Sequence, residues 1–205
     1  MNPYQPVIDF ENAIAEFTHA QYAVAVDSGS NAIFLSLLYM FKDLTKYDPK
    51  VVTIPKHTYP SVPCAIIHAG GKVNFSNEPW HGQYELQPYN ILDSALHFQK
   101  GMYSSGLQCL SFHIKKRIAI GRGGMILTND KKAADWLRKA RFDGRDPIPL
   151  LEDDFTMLGW NMYMTPAQAA LGLQIFEMIK NKPLPDLPVE EQGYPDLSKF
   201  PIYRQ

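Results

Sequence analysis

The sequence predicts an α/β fold, a three-layer sandwich in which helices cover both faces of a mostly parallel central sheet. Short apolar runs of the kind that form buried strands recur along the chain, at residues 22–27, 51–54, 72–75, 89–93, 108–112 and 124–128. Segments with apolar residues at helical spacing lie between and around them, at residues 9–17, 32–41, 61–69, 131–142 and 165–180. Such alternation is typical of a largely parallel sheet covered by helices.

In the first half of the chain, local sequence signals indicate where the helices and strands begin and end. Residues 9–17 carry acidic residues early, where the helix dipole favours them, and apolar residues on one face. The apolar strand 22–27 turns into helix 32–41, which is apolar enough to lie in the core. The strand at 51–54 precedes a helix at 61–69, and the next two residues are glycines, which commonly end helices.

The second half adds the remaining strands and two strong helices. Beyond Lys182 the chain is rich in proline, and an extended arm is expected there rather than a packed helix. The predicted organisation is therefore one α/β domain over residues 1–180, followed by a proline-rich C-terminal arm over residues 181–205.

Composition and charge exclude several classes of protein. The 205 residues are 45% hydrophobic and 20% charged, as expected for a globular chain with a sizeable core. A net charge of -1 gives no electrostatic case for nucleic acid or an anionic membrane surface. Cys64 and Cys109 are isolated, so neither a disulfide framework nor a metal site is expected. The start of the chain lacks the pattern of a secretion signal and no apolar run reaches membrane-spanning length, so a cytoplasmic protein is expected.

Two loops at strand ends carry groups that could hold an anion or a charged ring. In Ser28-Gly29-Ser30 the backbone amides and the dipole of the following helix could bind a phosphate, although an ordinary helix cap has the same pattern. Asp93 closes an apolar strand, where a carboxylate needs a partner to stay charged. A buried structural aspartate that caps a neighbouring loop is the alternative.

A second group of candidates follows the next strand. Ser111 precedes the basic run Lys115-Lys116-Arg117, which could be a solvated strip or could contain a reactive amine. Tyr59 lies where a loop enters a helix, and it could stack on a planar ring or simply pack at the surface.

The order of these segments carries more information than any one of them. The chain presents in succession residues 10–17, 22–32, 54–59, 69–71 and 93–95, then Ser-Phe-His-x-x-Lys and Gly-x-Gly-Gly within 111–130, and finally 159–164 and 167–172. Together they resemble the pyridoxal-phosphate-dependent sugar aminotransferases of the DegT/StrS type, which are fold type I enzymes acting on nucleotide-linked keto sugars.

The resemblance implies a role for the two charged candidates. Lys116, selected over Lys115 by its spacing from Ser111, would form the Schiff base with the cofactor aldehyde and then shuttle the proton between cofactor and substrate carbons. Asp93 would pair with the pyridine nitrogen and keep it protonated.

The resemblance also implies the contacts of the rest of the cofactor. Gly29, Ser30 and Ser111 would hold the phosphate, and Tyr59 would stack on the pyridine ring. Asn161 would reach the phosphate of a partner subunit, so a homodimer with shared active sites is implied.

The sequence departs from the family pattern in several places. Where members carry Gln or His near the ring hydroxyl, this chain has Leu96, with His97 one position later, so His97 substitutes or the contact is missing. The usual arginine beyond the asparagine is Tyr163. Residues 72–92 replace several strand–helix units of longer members, and the small C-terminal domain is reduced to the stretch after Lys180.

The shortened segment leaves the substrate open. Trp80, His81 and Tyr84 are candidate sugar contacts, or parts of a hairpin that covers the sheet edge. The favoured hypothesis is a minimal aminotransferase that moves an amino group from glutamate to a keto sugar, with nucleotide linkage expected. The alternatives are a pyridoxal-phosphate-binding protein without turnover, acting as carrier, sensor or assembly partner, and a pyridoxal-phosphate enzyme of another reaction, such as racemisation or decarboxylation.

Overall fold

The computed structural model describes residues 2–45 and 48–204. The α-helices in this part of the chain are α1 (Gln5–Thr18), α2 (Gly29–Phe41), α3 (Ser61–His68), α4 (Lys131–Ala140) and α5 (Pro166–Ile179). The strands are β1 (Tyr22–Val26), β2 (Val51–Pro55), β3 (Lys72–Ser76), β4 (Tyr84–Glu85), β5 (Ile91–Asp93), β6 (Leu107–Ser111) and β7 (Gly124–Thr128). All predicted helices and strands are therefore present, and β4 is an additional strand.

The strands form a five-stranded sheet in the order β1-β7-β6-β5-β4 and a two-stranded sheet of β2 and β3. Within the larger sheet β5 and β6 are parallel, whereas the β1–β7, β6–β7 and β4–β5 pairs are antiparallel. The backbones of Thr53 and Gln87 exchange two hydrogen bonds of 2.8 and 3.1 Å, which join β2 of the parallel β2–β3 pair to the segment that follows β4.

The α/β class is confirmed, but the expectation of a mostly parallel central sheet is wrong, because the larger sheet is mixed. An apolar strand has the same pattern in either direction, so the sequence of a strand does not specify the direction of its neighbour. Here β7 returns beside β6 after the connection 112–123, and the short β4 folds back on β5.

Helices cover both faces of the sheet, as the sequence predicts. Alternate residues of β1 belong to two separate apolar cores: Val24 and Val26 pack towards α2, α3 and α4, while Ala23 and Ala25 pack towards α1 and α5. This alternation is the two-residue period of a strand buried on both faces. The sheet is therefore the middle layer of three.

Glycines allow α2 to begin directly against the ends of β6 and β7. A Cβ atom on Gly29 would lie 2.8 Å from the Cβ of Ser111, and one on Gly124 would lie 2.4 Å from the carbonyl carbon of Ser28. Contacts this short are not tolerated by real side chains, so close approach of the backbones depends on glycine. The turn before α2 is thereby held beside the carboxyl end of β6.

The C-terminal segment, residues 183–204, returns to the domain instead of leaving it. It contains short 3-10 turns at Glu190–Gln192, Leu197–Lys199 and Pro201–Tyr203. Leu197 is buried, and its amide donates to the carbonyl of Lys56 at 2.9 Å. The amide of Leu187 donates to the carbonyl of Leu96 at 2.9 Å. The domain boundary at residue 180 stays a prediction.

Residues 2–45 and 48–204 include no helix that is both long enough and apolar enough to cross a bilayer.

Candidate active site

A cleft of about 260 Å³ opens where α2 and α3 begin beside the ends of β5 and β6. Ligands gather at the carboxyl ends of strands in such sheets, because the loops there lead into helix N-termini. Six of the seven predicted site residues line this cleft, namely Gly29, Ser30, Tyr59, Asp93, Ser111 and Lys116. The structure thus brings together residues that are spread over nearly ninety positions of sequence.

One end of the cleft is suited to an anion. The Oγ of Ser28 accepts a hydrogen bond from the amide of Asn31 at 3.2 Å and caps α2. The Oγ of Ser30 lies 2.6 Å from the Oγ of Ser61, the first residue of α3. Two helix N-termini and two hydroxyl groups therefore meet at one place, which favours a phosphate. Ser61 was not predicted as a site residue, although it is the first residue of the predicted helix 61–69.

Asp93 lies at the end of β5 and is only 6% exposed. Its Oδ1 accepts a hydrogen bond from the backbone amide of Ala95 at 3.0 Å, and its Oδ2 accepts one from the hydroxyl of Tyr84 at 2.9 Å. Burial raises the pKa of this carboxyl, and the two hydrogen bonds together with the charge of Lys116 oppose that rise. Asp93 is therefore a buried carboxylate with partners on both oxygens.

Lys116 is half-buried at the side of the cleft, in the connection that follows β6. Burial lowers the pKa of its ammonium, the carboxylate of Asp93 opposes the change, and the neighbouring charge of Lys115 adds to it. Lys115 also lines the cleft but is exposed. The neutral amine that attacks carbonyls is thus favoured at Lys116 by its surroundings.

Aromatic residues form the outer wall of the cleft. Tyr59 lines it but is 56% exposed, and its ring meets that of Tyr194 edge-on at 6.3 Å. The ring of Tyr194 lies nearly parallel to that of Trp80, at 6.4 Å. The carbonyl of Tyr194 is 3.1 Å from Nδ1 of His57, which fixes the C-terminal segment over this wall. Nothing local in the sequence connects Tyr194 with the site, because it reaches the cleft through the return of the C-terminal segment.

Several predicted contacts lie outside the cleft. Asn161 is exposed, and its side-chain amide donates to Oδ2 of Asp143 at 3.2 Å. The side chain of Leu96 is buried, and Nδ1 of His97 lies 2.6 Å from Oδ1 of Asp186. His97 is not among the residues that line the main cleft, and it lines a small adjoining pocket together with Ser111 and Lys116.

The other departures from the family pattern have the following surroundings. Tyr163 packs its ring against Phe142 at 5.0 Å and against Tyr4 at 6.1 Å, in an aromatic cluster. Of the three residues singled out in the shortened segment, Trp80 lines the cleft, Tyr84 is buried against Asp93, and His81 is exposed.

Comparisons with known proteins show relatives in sequence and in fold. The GDP-perosamine synthase of Escherichia coli O157:H7 is 29% identical over 211 residues, which cover 82% of this chain and 56% of that enzyme. Helicobacter pylori PseC, an aminotransferase involved in the biosynthesis of pseudoaminic acid, has a TM-score of 0.71 at 17% identity over 84% of this chain and 57% of its own. NtdA from Bacillus subtilis, solved with the cofactor PMP, has a TM-score of 0.69 at 18% identity over 85% of this chain and 48% of its own.

The chain thus spans little more than half the length of the relatives it matches. The sequence profile of the DegT/DnrJ/EryC1/StrS aminotransferases matches residues 1–81 and 99–182. The unmatched residues 82–98 contain Tyr84 and Asp93. The match covers most of the chain and confirms the resemblance and the fold type I architecture: the chain belongs to the DegT/DnrJ/EryC1/StrS aminotransferase family.

Proposed function

We propose that this protein binds pyridoxal phosphate in the cleft and transfers an amino group from glutamate to a nucleotide-linked keto sugar. The observation that carries the proposal is the convergence of a buried carboxylate, a half-buried lysine and a pair of helix N-termini around one cleft. The relationship to GDP-perosamine synthase supports a sugar nucleotide as the substrate class.

The residues present fit the cofactor. Gly29, Ser30 and Ser111, joined by Ser61, would hold the phosphate at the starts of α2 and α3. Asp93 would accept a hydrogen bond from the ring nitrogen, and Tyr59 would contact the ring face. When bound, pyridoxal phosphate supplies an aldehyde that takes up the amino group and a ring that accepts electrons.

Lys116 would carry the cofactor and move the proton of the reaction. Its Nζ lies in partly buried surroundings that lower the pKa of the ammonium, so Lys116 gives up its proton more readily than an ordinary lysine and could pass a proton to and from a substrate carbon. The Asp93 carboxylate opposes this effect and limits it. Both residues line the same cleft, and each shifts the pKa of the other.

A screen of amino donors followed through the cofactor spectrum tests this proposal. Glutamate is expected to convert the bound aldehyde form of the cofactor to the amine form, with a change in absorbance. A protein that binds the cofactor but responds to no amino donor would instead be the binding protein without turnover. That alternative is favoured by the shortness of residues 72–92, which leaves few side chains to build a sugar site. A protein that stays colourless with excess cofactor would overturn the proposal.

We also propose that the protein acts as a cytoplasmic homodimer in which Asn161 reaches the phosphate bound by the partner subunit. In support, Asn161 is exposed and lies outside the cleft of its own chain. Subunits with Asn161→Ala and subunits with Lys116→Ala should each be impaired, and mixing them should restore part of the activity, because one site of each mixed dimer then has both residues. A monomer in sedimentation, or mixing without recovery, would contradict shared sites.

A further inference from the structure

The carboxylate of Asp93 has a buried partner in the segment that the family profile leaves unmatched. The hydroxyl of Tyr84 donates to Oδ2 of Asp93 at 2.9 Å, and Oγ1 of Thr58 lies 2.6 Å from the same hydroxyl. Tyr84 is 8% exposed and Thr58 is 1% exposed, so water competes little for either group. Tyr84 is on β4, the strand that the sequence did not predict.

The direction of these hydrogen bonds follows from the groups themselves. A charged carboxylate only accepts, so Tyr84 gives its single hydroxyl proton to Asp93. The hydroxyl of Thr58 is then the donor to the tyrosine oxygen. The second carboxylate oxygen accepts the amide of Ala95 at 3.0 Å. Both oxygens of Asp93 are therefore held, one by the backbone and one by a chain of two side chains.

We propose that Tyr84, itself oriented by Thr58, is a positioning residue that holds the Asp93 carboxylate charged and directed for the ring nitrogen of pyridoxal phosphate. The inference rests on the proposed function for its ligand. It assigns a role to a residue outside the part of the chain that matches the family, and it explains how a shortened connection still supports the buried carboxylate.

The electrostatics around Asp93 make this hydrogen bond important. Four ionisable groups interact electrostatically or through a hydrogen bond with Asp93. They are Tyr84 on β4, Cys109 on β6, Lys116 after β6 and Tyr194 in the C-terminal segment. Burial raises the pKa of both tyrosines, and it raises the pKa of the Cys109 thiol to about 12, so all three are neutral near pH 7. Within the described residues, Lys116 is thus the one cation of this group, and Tyr84 supplies the side-chain hydrogen bond.

Tyr84→Phe tests the inference because it removes the hydroxyl and keeps the ring, which packs edge-on against Trp80 at 4.7 Å. Tyr89→Phe is the matched control, since among residues 2–45 and 48–204 its hydroxyl makes one hydrogen bond, to the carbonyl of Pro49 at 3.4 Å. Two quantities are measured: the titration of the Asp93 carboxyl by NMR in the cofactor-free protein, and the dissociation constant for pyridoxal phosphate between pH 5 and 9.

In Tyr84→Phe the midpoint of the Asp93 titration should move to higher pH, because a bond that stabilises the charged form is lost. Cofactor affinity should fall about tenfold, or about 1.4 kcal/mol, at pH values between the wild-type and variant midpoints, and the loss should shrink as the pH rises past the variant's midpoint. Thr58→Val should shift both quantities less and in the same direction. Tyr89→Phe should match the wild type.

An unchanged Asp93 titration in cofactor-free Tyr84→Phe overturns this inference alone. A loss of affinity that is independent of pH and follows a loss of folded protein also overturns it, since that is the behaviour of a merely structural contact. A wild type that does not bind pyridoxal phosphate overturns the proposed function as well.

Discussion

Replacing Lys116 with alanine is expected to abolish the covalent attachment of pyridoxal phosphate and to slow amino transfer by ~10³-fold or more. Lys116 lines the cleft, and burial lowers the pKa of its ammonium. Borohydride reduction followed by mass spectrometry of the digested protein measures the attachment. The wild type should show the added mass on the peptide that contains Lys116, and the variant should show none.

Lys115→Ala is the control for this experiment. Lys115 is the adjacent residue, lines the same cleft and carries the same charge, but it is exposed. It should keep the reducible attachment, with at most a small change in cofactor affinity. If the added mass persists in Lys116→Ala, or is found on Lys115, the assignment of the cofactor-bearing lysine is wrong.

Replacing Asp93 with asparagine is expected to slow amino transfer about a hundredfold while leaving the covalent attachment in place. Asparagine has nearly the same shape but no charge, so a protonated ring nitrogen would lose its ionic partner and the ring would accept electrons less readily. Single-turnover conversion of the cofactor with glutamate measures the loss. A variant as fast as the wild type would show that Asp93 is only structural.

Although Asp93→Asn should slow amino transfer, it should stabilise the cofactor-free protein. Burial raises the pKa of Asp93 above its unfolded value, so its protonated form favours the folded state. That stabilisation is complete below the unfolded pKa and is lost as the pH rises through the higher folded pKa. At pH 7 the buried charge therefore destabilises the empty protein, and Asp93→Asn should raise the free energy of unfolding in urea there. The difference from wild type should shrink as the pH falls below the unfolded pKa of Asp93, where the aspartate is neutral in both the folded and the unfolded state.

The helices and most strands were predictable because their signals are local. The apolar face of α1 and the capping box formed by Thr165 and Gln168 at the start of α5 are properties of a few neighbouring residues. The acidic residues expected at the start of the first helix lie beyond its first turn, because α1 begins at Gln5. Strand direction was not predictable, and the expected parallel sheet proved to be mixed. The short β4 was missed because two residues are too few to show a strand pattern.

The residues of the candidate site also fall into two groups: those whose place in the site the sequence indicated and those for which it gave no indication. Lys116, Asp93 and the Ser28-Gly29-Ser30 turn follow strands or begin a helix, so their positions in the sequence already indicated the edge of the sheet at which they meet. Tyr84 and Tyr194 carried no such signal. Tyr84 is brought to Asp93 by a short hairpin. Tyr194 contacts His57 beside the cleft, although the two residues are more than 130 positions apart in the sequence.

By itself, the sequence determined the family, the α/β class and six of the residues that line the cleft, because spacing, caps and glycine turns act over short distances. Only the tertiary structure decided the strand directions, the hydrogen-bond partners of His97 and Asn161, and the hydrogen-bond chain that supports Asp93. These depend on contacts between segments far apart in the chain, whose geometry is set by how the layers pack.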